Sequence, residues 1–98
     1  MGNSLKSAQF LMESRLLDAA RGDVNALYDL GIIYSMGTSD HGIDLIEAHK
    51  WFNLAAVSGM TEAAEARADV SEDMTAREIA EAQRQARAWL NATRRLAA

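Results

Sequence analysis

The string "GDVNA", Gly22 to Ala26, returns as "GMTEA", Gly59 to Ala63, thirty-seven residues further along the chain. Each is preceded by an alanine pair, Ala19-Ala20 and Ala55-Ala56, with one residue more before the second glycine. A period in the thirties built from two helices is the mark of a solenoid of stacked helical pairs. The residues between the two strings are consistent with helices. Apolar side chains recur at helical spacing throughout, proline is absent, and no run of four to eight β-branched residues stands out. The chain is expected to be all-α, a single domain over residues 1–98.

Five helical segments follow from the spacing. The first, Ser4 to Ala20, carries Leu5, Ala8, Met12, Leu16 and Ala19 on one face and Phe10 and Leu17 on another, and ends at Gly22. The second, Asp23 to Met36, has two apolar stripes: Ala26, Leu30, Ile33 and Tyr34, then Tyr28, Ile32 and Met36. A helix apolar on two sides must be covered twice or offer one side to a partner. The third begins at Asp44, where "DLIE" places a capping carboxylate three residues before Glu47. Its buried side is Ala48, Trp51, Phe52, Ala55 and Ala56, and Gly59 closes it. The fourth, Thr61 to Glu72, sets Glu62, Glu65, Asp69 and Glu72 in front of Ala63, Ala66 and Val70. The fifth opens with the capping box "TARE", Thr75 to Glu78, and runs through Ile79, Ala82, Ala86, Trp89, Thr93 and Leu96.

Within the repeat unit each small residue has a physical use. Gly22 turns the chain, Ala26 admits a neighbouring helix, and Leu30-Gly31 sets a core anchor beside bare backbone. Gly37 ends the second helix, and Ala48 and Trp51 of the third pack back on it.

These positions, Gly22, Ala26, Leu30, Gly31, Tyr34, Gly37, Asp44, Ala48, Trp51, Ala55, Ala56 and Gly59, carry a pattern that resembles the Sel-one-like repeats, relatives of the tetratricopeptide repeat. The resemblance covers Gly22 to Leu90 and implies a right-handed α-α solenoid of about five short antiparallel helices. In that reading residues 22–58 are one complete repeat, 59–96 a degenerate second repeat or capping helix pair, and 1–21 an N-terminal helix. Two departures stand out: the turn from Gly37 to Asp44 is one residue longer than family members usually have, with Gly42 displaced, and Arg67-Ala68 occupies the place of Leu-Gly. The resemblance implies a non-enzymatic protein–protein interaction module, a small bacterial-type adaptor or regulator. The residues it places on the inner, partner-facing side of the second helix are Asn25, Tyr28, Ile32, Ser35 and Met36. Either the first helix lies across this face, or the stripe is open to a partner segment or to a second copy in a homo-oligomer.

Other chemistry is weighed against these readings. "MGTSDHGIDLIEAH", Met36 to His49, crowds ionisable groups together, and a metal site from Asp40, His41, Asp44 and His49 is the competing interpretation. Capping claims Asp44 and Glu47, and no cysteine or third histidine completes a zinc shell, so an inter-helix turn is preferred and no cofactor is expected. No nucleophile motif, phosphate loop or readable carboxylate pair marks an enzyme. Trp51 and Trp89, each three residues after an alanine, are expected in the core. The acidic set on the fourth helix and Arg77, Arg84, Arg87, Arg94 and Arg95 on the fifth are expected to be solvated faces. The net charge of -4 argues against nucleic acid, no segment approaches a membrane span, and the lack of cysteine fits a cytoplasmic protein.

Overall fold

The computed structural model describes residues 3–38 and 42–97. Five helices carry the chain: α1 (Asn3–Ala20), α2 (Val24–Met36), α3 (Leu45–Val57), α4 (Thr61–Ser71) and α5 (Ala76–Ala97). No strand is present among the described residues. The boundaries fall within a residue or two of those expected from the spacing, and most are set by local chemistry that can be read in the sequence.

The repeated glycines show this most directly. Gly22 and Gly59 take positive φ, 92° and 106°, a region that only glycine enters without strain. At the first, the N–H groups of Gly22 and Asp23 donate to the carbonyls of Ala19 and Asp18 at 2.9 and 3.0 Å. At the second, Gly59 and Met60 donate to Ala56 and Ala55 at 2.9 and 3.2 Å. Both are Schellman turns, so the two copies of the string end a helix by the same pair of hydrogen bonds.

The helix starts differ. Asp23 Oδ1 accepts from the N–H groups of Asn25 and Ala26 at 3.0 and 3.3 Å, capping α2. Thr75 and Glu78 close a reciprocal capping box on α5, at 3.1 and 2.8 Å. At α3 only half of the box forms. Asp44 accepts from Glu47 N–H at 3.1 Å, but the Glu47 carboxylate turns forward to Trp51 Nε1, 3.0 Å, and Lys50 Nζ, 3.1 Å. The indole is the better partner for it, since a buried ring N–H must be satisfied.

α3 is the centre of the packing: α2, α4 and α5 all dock on it, and α1 docks on α2. Its two large aromatics point to different neighbours. Trp51 meets Trp89 of α5 edge to face, with centroids 4.8 Å apart. Phe52 lies against Tyr28 of α2, 5.5 Å between centroids. Both tryptophans thus contribute to packing, with Trp51 itself buried in the core. Ala26, Leu30, Ala48, Ala55, Ala63 and Ala82 are fully buried around them, so small residues set the helix separations. Of the stripe on α1, Met12 and Ala19 are buried and Leu16 packs beside them, whereas Phe10 and Leu17 stay exposed. The side chains of Leu5, Ala8 and Leu96 lie outside those described.

Gly31 shows why the alanines need help. A Cβ there would fall within 2.9 Å of Phe52 Cγ, and nearer still to Cδ1 and Cε1 of the same ring. Gly31→Ala should therefore destabilise the fold by about 1–3 kcal/mol despite the better helix propensity of alanine. Urea unfolding should show a lower midpoint with an unchanged slope, and Phe52→Leu in the same chain should recover part of the loss. An unchanged midpoint would contradict the close approach.

Candidate partner-binding face

The five residues expected on the partner-facing side of α2 share one face of that helix but have different surroundings. Asn25 is exposed, and its backbone N–H is taken by the Asp23 cap. Tyr28 is half-buried because its ring leans over Phe52. Ser35 donates its hydroxyl to the Ile32 carbonyl at 2.9 Å, satisfying itself within its own helix. Met36 is 73 % exposed at the helix end. Ile32, half-buried, lines a shallow groove of about 320 Å³ with Ile33 and Asp29 of α2 and Leu11 and Arg15 of α1.

The position of α1 explains this division. Met12 takes a 3.8 Å contact from the Tyr34 hydroxyl, and Arg15 reaches Asp29 at 3.6 Å and Asp18 at 3.9 Å. These contacts hold α1 against the side of α2 that carries Asp29, Ile33 and Tyr34. Asn25 and Met36 stay uncovered. Leu11, Arg15 and Asp29 were not among the residues expected at a binding face. Leu11 and Arg15 come from another helix, and only the docking of α1 places them beside Ile32.

The stretch between α2 and α3 divides in the same way. Gly37, at φ 77°, ends α2 with its N–H on Ile33 O, and Asp44 N–H donates to Tyr34 O at 2.9 Å, tying the start of α3 to the end of α2. The Tyr34 hydroxyl has its pKa raised, first by burial and then by the carboxylates of Glu47 and Asp44. Asp40 and His41 lie outside the described residues. Among the described residues, no three His, Asp or Glu side chains gather in a group able to hold a metal ion. His49 is 3 % exposed, and its Nδ1 has no hydrogen-bond partner among them. Burial lowers its pKa, and the charge of Arg67 lowers it further. Arg67 occupies in α4 the register that Leu30 holds in α2, and its guanidinium donates to Asn53 Oδ1 of α3.

No helix among the described residues is long and apolar enough to cross a membrane. Compared with known proteins, the chain matches no family model, no curated protein and no solved structure.

The His49 environment fixes the sign of a pH effect. Because its folded-state pKa is depressed, the unfolded chain binds the proton more readily than the folded one. Its contribution to stability is therefore complete above the unfolded value of 6.5 and is lost as the pH falls from there toward the folded pKa. Urea unfolding between about pH 7.5 and about pH 5 should show falling stability, and His49→Leu should flatten that slope while preserving stability at neutral pH. An identical slope in the variant would assign the effect to other groups.

Proposed function

We propose that this chain is a non-enzymatic protein–protein interaction module of the Sel-one-like kind, a small adaptor or regulator that engages its partner through the α2 face. In this reading the five helices form a short right-handed solenoid with one complete repeat. The twelve-position pattern supports that reading, and so do the matching Schellman turns at Gly22 and Gly59.

The observation that carries the functional reading is the uncovered apolar seam beside α2. Leu11 and Ile32 are left partly or largely open where α1 and α2 meet, flanked by the Arg15–Asp29 ion pair, and the exposed Met36 follows one turn further along α2. An apolar strip with one fixed charge pair at its edge suits an amphipathic segment, with the pair setting orientation. Met36 adds an adaptable side chain at the open end. The same strip supports a second reading, a homo-oligomer that buries it against another copy.

Tyr28 is a poor choice for a test, because its ring also packs on Phe52 and its loss would loosen α2 from α3. Ile32→Ser combined with Met36→Asp avoids that contact. Affinity capture from native lysate should yield a complex of defined intact mass with the wild-type chain. The double variant, with unchanged helical circular dichroism, should lose capture by on the order of tenfold or more. Equal capture by both would refute the α2 face, and a complex composed only of this chain would favour the homo-oligomer.

A further inference from the structure

The charges of this molecule are unevenly divided. α5 holds five of the ten basic side chains and only two of the fourteen acidic ones. Both of those glutamates lie in its first two turns, and none follows Glu81. Arg77, Arg84, Arg87, Arg94 and Arg95 are all exposed and fall on one side of the helix, spanning ~27 Å at 1.5 Å per residue. Arg84 is engaged by Glu81 of its own helix. The other four make no ion pair or side-chain hydrogen bond among the described residues.

α4 presents the opposite. Glu62, Glu65 and Asp69 of α4 and Glu72 at its C-cap are exposed on one face, and none pairs with a cation among the described residues. α4 and α5 are joined by a short turn and both dock on α3, yet their charged faces form no ion pair with each other. The spacing along the two faces matches in part. The acids step by three, four and three residues, and Arg84, Arg87 and Arg94 step by three and seven, as do Glu62, Glu65 and Glu72. On two helices laid side by side in parallel, three of the four acids therefore come level with an arginine, and Asp69 faces the neutral Asn91.

We propose that the arginine face of α5 docks on the acidic α4 face of a second copy of this chain, giving a salt-sensitive self-association separate from the α2 face. The chain itself supplies the complementary charge, with Arg84, Arg87 and Arg94 at the spacing of Glu62, Glu65 and Glu72, which singles out a second copy as the occupant. The acidic remainder of the molecule repels an extended polyanion such as nucleic acid. Arginine suits the role, since its planar fork holds a carboxylate through two hydrogen bonds. Because α4 and α5 are different surfaces, the contact is heterologous unless two of them close around a two-fold axis.

Sedimentation equilibrium of the full chain over a concentration series, at about 20 mM and about 500 mM NaCl, tests this. Association should appear at low salt and weaken by about tenfold or more at high salt. Arg87→Glu with Arg94→Glu should abolish it, and Glu65→Arg with Glu72→Arg should do the same. Mixing the two variants should restore it, because the acidic α4 of one then meets the basic α5 of the other. The mixture guards against a variant that merely fails to fold. A monomer at every concentration in low salt would overturn the proposal. So would an oligomer indifferent to salt and to α5 reversal, or one lost instead through Ile32→Ser with Met36→Asp, which would belong to the α2 face.

Discussion

The close approach of Phe52 to the bare backbone at Gly31 is the constraint on which the remaining packing depends. A ring seated on a helix without a Cβ brings α2 and α3 closer than leucine-on-leucine packing allows. Small residues accompany that approach: Ala26, Ala48 and Ala55 are completely buried alongside Leu30. With Phe52 turned to α2, Trp51 is free to face the other way and receive Trp89 from α5. One short helix thereby organises three neighbours. In a small domain with little interior, that concentration of aromatic burial on one element replaces the larger core of a longer chain.

Much of this was legible from residue spacing because the information is local. Caps, glycine turns and apolar stripes each act within a turn or two of the residues that encode them, so α1 to α5 and the inward positions of Trp51 and Trp89 could be read directly. The partial capping box at α3 was not legible in the same way. "DLIE" satisfies the pattern, and only the indole of Trp51, one turn later, diverts Glu47 from its backbone partner. The candidate face follows the same logic. Its α2 members are spaced along one helix and can be counted off, whereas Leu11 and Arg15 reach it through the docking of a separate helix. Asp29 is recognisable only through its partner on α1.

The segment after the second glycine string departs from the first at its middle. Where α2 offers Leu30 and Gly31 to its neighbours, α4 offers Arg67 and Ala68. A guanidinium cannot be buried as leucine is, and it instead reaches back to Asn53 beside the buried His49. The turn that starts the unit is intact, but the close helix approach at its middle has no counterpart: Ala68 is exposed while Gly31 is buried. Arg67 thus ends the apolar progression from α2 through α3 and gives α4 a polar inner edge.

That polar edge also bears on how the molecule meets others. An apolar seam beside α2 and a charged pair of faces on α4 and α5 lie on different helices and answer to different conditions. Burial of apolar side chains such as Leu11, Ile32 and Met36 is not weakened by charge screening, while pairing of exposed arginines with carboxylates is screened over roughly 10 Å at 0.1 M salt. If both proposals hold, the chain has two independent means of association, one tuned by shape and one by ionic strength. In that reading the apolar seam would take a segment by fit, and the charged faces would be selective in another sense, because like-charged surfaces repel. An α4 face meeting a second α4 face is disfavoured, whereas in the proposed α4-to-α5 arrangement Glu62, Glu65 and Glu72 come level with Arg84, Arg87 and Arg94.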